Sequence, residues 1–495
     1  MSKNNKSNTY SRRKFVGTTL AATAGFTIIP SCAVSGLGYK APSDKLNIAG
    51  IGVGGMGFRN LKEMETENIV GLCDVDFKYS DRVFKHYPKA KVYKDFRKMY
   101  DEMGSSIDAV VVATADHTHA ITSAQAMAMG KHVFLQKPLT HTVYESRLLT
   151  KLADKHKLAT SMGNQGSSAE GVSLMAEWIA NGEIGEITKV EAFTDRPIWP
   201  QGLQRPEGSM EIPDTLAWDL FIGPAKMRPY NEIYTPWNWR GWWDFGTGAL
   251  GDMACHILHP VFVGLELGYP ISAQGSSTLL LTDCAPNAEK VSLVFPERKS
   301  ARTKATLPEV EVIWYDGGLQ PDKPEGWPEG KSMNNDGGGV IFHGTKDKII
   351  CGCYGKEPWL LSGRTPNAPK FRRRINVSHE QDWVRACKES PENRVETASP
   401  FSEAGPFNEM VVMGVLAVRL QDLNKKLKWD GENMKFTNIN DSETIKIIKE
   451  DNFSIHDGHP TFERVYTDPI NANAFASELI KHEYRDGWDL PEMPS

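Results

Sequence analysis

Residues 45–64 read KLNIAGIGVGGMGFRNLKEM. Leu46–Ile51 is a short apolar run of strand type. It passes into Gly52-Val53-Gly54-Gly55-Met56-Gly57, a G-x-G-x-x-G, and a helical pattern follows. Glycine is required here because the backbone must turn sharply and then approach a pyrophosphate with no Cβ in the way. The phosphates would rest on amides at a helix N-terminus. Gly52, Gly54, Gly55, Met56 and Gly57 are therefore candidate cofactor contacts. A second apolar run, NIVGLCDVD, delivers Asp74 about 20 residues past the turn, where this fingerprint expects an acid. A carboxylate there accepts from a ribose 2′-hydroxyl and repels a 2′-phosphate, which favours NAD over NADP.

The alternation continues outward. DAVVVAT (108–114) is an uninterrupted apolar strand of the kind buried on both faces of a parallel sheet. AITSAQAMAMG reads as a helix, HVFLQ as a strand, YESRLLTKLADKH as a helix, and 159–162 closes the set. The expected fold is α/β, with a doubly wound parallel sheet over residues 44–163. Ligands bind such a sheet at the carboxyl ends of its strands.

Composition excludes several classes. Hydrophobic residues are 40%, charged residues 24% and the net charge is −5. That is ordinary for a globular chain and gives no basic surface for nucleic acid. After residue 40 no apolar run approaches the roughly 18 residues of a membrane span. Residues 1–40 read as a signal peptide and tether. Arg12 and Arg13 precede an apolar, Ala- and Gly-rich segment, which resembles a twin-arginine export signal. Ile29-Pro30-Ser31-Cys32 loosely resembles a lipoprotein box, with Cys32 as lipid anchor. The expected location is periplasmic or membrane-anchored on the periplasmic side. Export after folding suits a chain that takes up its cofactor in the cytoplasm and holds it tightly.

At GKHVFLQKPLT (130–140) the chain resembles the glucose–fructose oxidoreductase, inositol dehydrogenase and MocA (Gfo/Idh/MocA) family, whose Glu-Lys-Pro appears here as Gln136-Lys137-Pro138. ATADHTHA (113–120) resembles the next loop of the family, with Ala115 in place of proline, and SMGNQGSS (161–168) a third. The resemblance implies that Lys137 points at substrate and nicotinamide, with the following proline often in a cis peptide. It implies that Thr114, Asp116, His117, His119, Gln136, Asn164 and Gln165 surround the cofactor. DRPIWPQG and the ending YRDGWDLP resemble a sugar-associated, secreted bacterial branch.

Beyond 164 the pattern changes. A helix, AEGVSLMAEWIANG, precedes alternating strand-like runs that include ITKVEAFTD, KVSLVFP and EVEVIWYD. The resemblance implies a C-terminal α+β domain with an open mixed sheet, taken here as residues 164–495. LQPDKPEGWPEGKSMNNDGGG reads as a surface loop. FNEMVVMGVLAVRL reads as an amphipathic helix.

WRGWWDFGTGALGDMACHILHP (239–260) carries the chemistry. A helix over 249–267 would place Asp252, His256 and His259 on one face. Pro260 lacks the amide that would bond the His256 carbonyl, so a kink is expected there. The family has D-x-x-x-H at this point, aimed at the nicotinamide. His256 is the candidate base, with a titration near working pH. Lys137 would stabilise the developing alkoxide, and Asp252 would accompany His256. No metal site is expected. Arg196, Trp199, Gln201, Arg240, Trp242, Trp243 and Asp244 are candidate sugar contacts, since aromatic faces stack on sugars and polar neighbours read hydroxyls. The function expected is NAD-dependent oxidation of a ring hydroxyl, C3 by preference, of a sugar or glycoside. The alternative is an NAD-dependent glycosidase working through a transient 3-keto sugar. A homo-oligomer is expected.

Overall fold

The computed structural model describes residues 44–334 and 337–494. The expected export signal and Cys32 lie outside the described residues. The chain divides between Leu46 and Asn47 into two units. Only residues 44–46 of the first are described, and the described strands and α-helices all belong to the second.

The glycine turn organises the first sheet. Strands β1 (Asn47–Ile51), β2 (Asn68–Cys73), β3 (Lys91–Tyr93), β4 (Ala109–Val112), β5 (His132–Leu135) and β6 (Thr160–Met162) pair in the order β3-β2-β1-β4-β5-β6, all parallel. This is the doubly wound order whose crevice opens beside β1 and β4. All four residues of β4 are buried, as a strand covered on both faces must be. Crossover helices α1 (Phe58–Glu63), α2 (Phe77–His86), α3 (Phe96–Met103), α4 (His119–Ala128) and α5 (Val143–Lys155) complete the units. Helix starts are written locally. Asp76 accepts from the amides of Lys78 and Tyr79, and Thr142 forms a reciprocal capping box with Glu145.

The second sheet is mixed and nine-stranded. Its strands are β7 (Ile187–Thr194), β8 (Ser272–Ser277), β9 (Glu289–Phe295), β10 (Val310–Tyr315), β11 (Gly338–Gly344), β12 (Lys348–Gly352), β13 (Trp359–Leu360), β14 (Leu427–Asp430) and β15 (Lys435–Phe436). The order is β13-β12-β11-β7-β10-β9-β8-β14-β15. Only β7 and β10 pair in parallel; the neighbouring pairs are antiparallel. Helices α6 (Glu170–Ala180), α7 (Gly248–Ile257), α8 (His259–Gly264), α9 (His379–Cys387) and α10 (Phe401–Arg419) accompany it. Of these, α7 packs on β7 and β11, and α10 packs on β8, β9 and α5. On other strand positions Phe193, Ile341 and Ile350 form a separate cluster with Met333, Trp327 and Trp359. The Pro/Gly-rich segment after β10 thus supplies Trp327 and Met333 as a partial cover.

Three expectations need correction. The single helix over 249–267 is two helices, with Leu258 as the joint and Pro260 in the first turn of α8. Proline is accepted there because a first-turn amide has no helical partner. Helix α10 is not amphipathic but buried along nearly its whole length, since it lies between α5 and the second sheet. The hairpin Ile448–His456/His459–Tyr466 is a further element that alternation in the sequence did not reveal. The six cysteines Cys73, Cys255, Cys284, Cys351, Cys353 and Cys387 are all buried thiols.

Gly52 sits at φ +75°, and a Cβ there would lie 2.6 Å from the Ala113 carbonyl. Gly130 has a similar φ of +74° but open space around it. Gly130→Ala should cost about 1 kcal/mol through backbone strain alone. Gly52→Ala should cost at least about twice that, because it adds a backbone clash. Thermal unfolding of both variants checks the ordering.

Candidate active site

A cleft of about 370 Å³ runs from the glycine turn to the Lys137–Asp252 pair. Its dinucleotide end is built by the ends of β1, β2 and β4. The Asp74 carboxylate accepts from the amides of Gly54 and Asp76, and Gly54 leaves room for the Tyr79 ring, which a Cβ would strike at 2.2 Å. Burial raises the Asp74 carboxyl, while the Asp76 and Gly54 amides and Ser80 oppose the shift. Gly52, Gly54, Gly55, Met56, Asp74, Thr114, Gln136 and Gln165 all line this part.

At the other end β5 delivers Lys137, followed by a cis peptide to Pro138. The turn is anchored from α10: the Leu139 amide donates to Asn408 Oδ1, and Asn408 Nδ2 donates to the Thr140 carbonyl. Lys137 Nζ donates to Asp252 Oδ1 at 2.6 Å and to the Asp252 carbonyl at 3.1 Å. Arg240 Nε donates to the same carboxylate oxygen at 3.0 Å, with its guanidinium over the rings of Trp237 and Trp239 at 3.8 and 4.2 Å. Burial alone would raise the Asp252 carboxyl. The Lys137 and Arg240 charges outweigh it and hold that carboxyl well below the usual range.

His256, one turn beyond Asp252 on α7, also lines the cleft. Its Nδ1 is buried without a hydrogen-bond partner. The Tyr354 ring lies 4.6 Å from the imidazole, from a residue at φ +65°. Burial first, then the Lys137 charge, push His256 down to about 3. The expected near-neutral titration is thus replaced by a ring that stays uncharged. Nor is Asp252 its hydrogen-bonded companion, because both cations claim that carboxylate.

Arg196, Trp199 and Arg240 line the cleft beside this group, and His117 forms part of its wall. The His117 ring nitrogens face the Phe245 and Phe221 carbonyls. Other candidates lie elsewhere. Gly57 packs under the turn, where a Cβ would meet the Gly52 carbonyl at 2.3 Å. Asp116 accepts from Thr247 Oγ1, and the His119 ring faces the carbonyls of Pro138 and Thr114. Asn164 is buried with both side-chain polar atoms unpartnered, and it does not line the cleft. Gln201 accepts from the Trp199 indole and donates to the Pro286 carbonyl, so it positions a cleft residue. Trp242 is fully buried in an aromatic cluster. Trp243 and Asp244 face a different cavity. His259 pairs with Glu403 at 2.9 Å, because the break at Leu258 separates it from the Asp252–His256 face. Tyr354 and Tyr79 line the cleft without any motif that announced them, and Trp488, also in its lining, falls within the YRDGWDLP ending.

These residues fit a dinucleotide. Glycines clear the turn, an acid stands at the end of β2, and the cleft continues to a partly buried lysine–carboxylate pair in its wall. The family comparisons agree. An oxidoreductase family model described as an NAD-binding Rossmann fold matches residues 46–164, and the C-terminal α/β domain model of the same family matches 183–277. The chain thus carries both the N-terminal and the C-terminal domain of the Gfo/Idh/MocA oxidoreductase family. It is 26% identical over 206 residues to a glycosyl hydrolase family 109 protein of Shewanella baltica, covering 37% of this chain and 45% of that one. It is 27% identical over 174 residues to an α-N-acetylgalactosaminidase of Shewanella oneidensis, covering 33% and 38%. The chain thus spans less than half the length of these relatives. In fold it is similar to the WlbA dehydrogenase of Chromobacterium violaceum, solved with NADH and UDP-GlcNAcA. The TM-score is 0.52 at 16% identity, over 78% of this chain and 96% of that one.

Burial pushes the Asp116 carboxyl up to about 7, with the Arg240 charge and the Thr247 hydroxyl opposing it. Unfolded, it titrates near 4. Between these values the folded chain holds a proton that the unfolded chain has released, so stability falls as pH rises through that window and levels off above it. Asp116→Asn should therefore gain about 2–3 kcal/mol on the unsubstituted chain between pH 5 and pH 8. Denaturant unfolding at the two pH values measures this.

Proposed function

We propose that this chain is an NAD-dependent oxidoreductase that oxidises a ring hydroxyl, C3 by preference, of a sugar or glycoside. The observation that carries the reading is Lys137 Nζ at 2.6 Å from Asp252, a partly buried ion pair sharing one cleft with His256 and the glycine turn. Bound NAD supplies the hydride acceptor. Lys137, held by Asp252, donates a hydrogen bond to the reacting oxygen and offsets its charge as the C–H bond breaks. His256, uncharged, receives the hydroxyl proton. Because burial makes its imidazolium a strong acid, the ring holds that proton only briefly before passing it on. Trp199, Trp237 and Trp239 offer faces for a sugar ring, and Arg196 and Arg240 offer donors to its hydroxyls. Asp74 favours NAD over NADP, since a 2′-phosphate would meet a carboxylate.

The glycosyl hydrolase family 109 relatives favour a second reading on the same site. Oxidation of a ring carbon acidifies the neighbouring C–H. Loss of that proton with the aglycone, addition of water and return of the hydride give hydrolysis with no net redox change. An exported enzyme needs such a closed cycle or a second substrate to restore its cofactor. Export by the twin-arginine signal, a lipid at Cys32 and tight retention of NAD belong to this proposal.

Incubating the protein as purified with aryl glycosides separates the readings. Aglycone release without added NAD supports the closed cycle, and a keto-sugar without release supports net dehydrogenation. Neither product would sink both. Lys137→Met and His256→Asn should each lower kcat/KM by about 10²–10⁴. Their NAD affinity, measured by calorimetry, should stay within about threefold of the parent. Native mass spectrometry should find the dinucleotide retained.

A further inference from the structure

A second cavity, of about 130 Å³, is lined by Arg419 of α10, Trp243, Asp244 and the C-terminal residues 475–484, and it shares His117 with the larger cleft. Two donors in its wall lack acceptors. The Arg419 guanidinium lies over the Trp243 and Phe475 rings, 5.2 Å from each centroid. It makes no hydrogen bond or ion pair among the described residues. Ring faces attract a guanidinium but satisfy none of its N–H groups. Burial pulls this guanidinium down to about 10. The Trp243 indole N–H is buried and has no partner.

Of the acids that line it, Glu483 is exposed and the other three are committed. Glu145 accepts from the amides of His141 and Thr142 and from the Tyr484 hydroxyl. Asp244 is paired with Arg228, and Glu478 faces Lys226 at 3.7 Å. The two histidines satisfy each other. The Gly246 carbonyl requires a hydrogen on His141 Nε2, so His141 Nδ1 accepts from His482 Nδ1 at 3.3 Å. A cation with free N–H groups and a second free N–H in one cavity wall call for a ligand made of acceptors. Arginine presents its donors in the fork that oxyanions match.

We infer that this cavity binds a small oxyanion whose oxygens accept from the Arg419 guanidinium and from Trp243 Nε1. Free sulfate or phosphate and the carboxylate of an acidic sugar share this chemistry. His117, common to both cavities, places the bound anion next to the dinucleotide cleft.

The test is calorimetric titration of the full chain with sodium sulfate, sodium phosphate and sodium glucuronate, repeated on Arg419→Gln and Trp243→Phe. At least one probe should bind saturably at one site per chain. Affinity should fall at least ~10-fold in Arg419→Gln and about threefold in Trp243→Phe. Anion binding at the glycine turn would be equal in all three proteins, so the difference reports this cavity alone. Binding of the inorganic ions without glucuronate identifies a free ion, and glucuronate alone identifies an acidic sugar. No saturable binding of any probe, or affinities unchanged by both substitutions, would overturn the inference. Should Arg419→Gln fail to fold, Trp243→Phe keeps an aromatic face under the guanidinium, removes the N–H and decides the matter.

Discussion

One carboxylate ties the catalytic region together. Asp252 lies on a helix of the second domain, and the Lys137 ammonium that reaches it comes from the turn after β5 of the first sheet. Taking an aspartate and a lysine out of water is expensive, and their attraction repays it only where further hydrogen bonds complete the shell. Here Arg240 supplies the completion from the third side. The arrangement sets the charge of everything near it. Two cations fix Asp252 as an anion, and the Lys137 charge helps keep the adjacent imidazole neutral. The cleft therefore presents a fixed donor beside an uncharged acceptor, the pairing that a hydroxyl losing both hydride and proton requires.

That geometry depends on packing some distance from the chemistry. Asn408 is fully buried on α10 and pins both Leu139 and Thr140. Arg147 and Glu409 add a two-pronged bridge between α5 and the same helix. The turn that carries Lys137 is thus clamped by the helix that also supports β8 and β9. This explains why α10 is apolar on nearly every side. It is enclosed by both layers, and its few buried polar residues do the joining.

Five strands of the first sheet were legible as short runs closed by turns, with the glycine pattern marking one sharp bend, whereas the edge strand β3 is three mostly exposed residues and carries no such run. Lys137, Asp252 and His256 were legible through motif and spacing. Failures came where sequence neighbours diverge in space. Arg240, Trp242, Trp243 and Asp244 are adjacent in the chain, but the backbone there turns at nearly every residue. One side chain reaches the cleft, one enters the core and two face another cavity. Treating 249–267 as one helix put His259 on the wrong face, although Pro260 had marked the break. Tyr354 had no periodic signal at all. A left-handed residue after a strand brings it onto an imidazole almost a hundred positions earlier.

Burial of the cysteines has a chemical consequence. Desolvation raises the thiols of Cys73, Cys255, Cys284, Cys351 and Cys387, so little thiolate exists to meet an oxidant or an alkylating reagent. Those five thiols therefore react slowly while the chain is folded. The same side chains then serve as a built-in gauge of opening, since iodoacetamide can label them only as fast as the core lets water in.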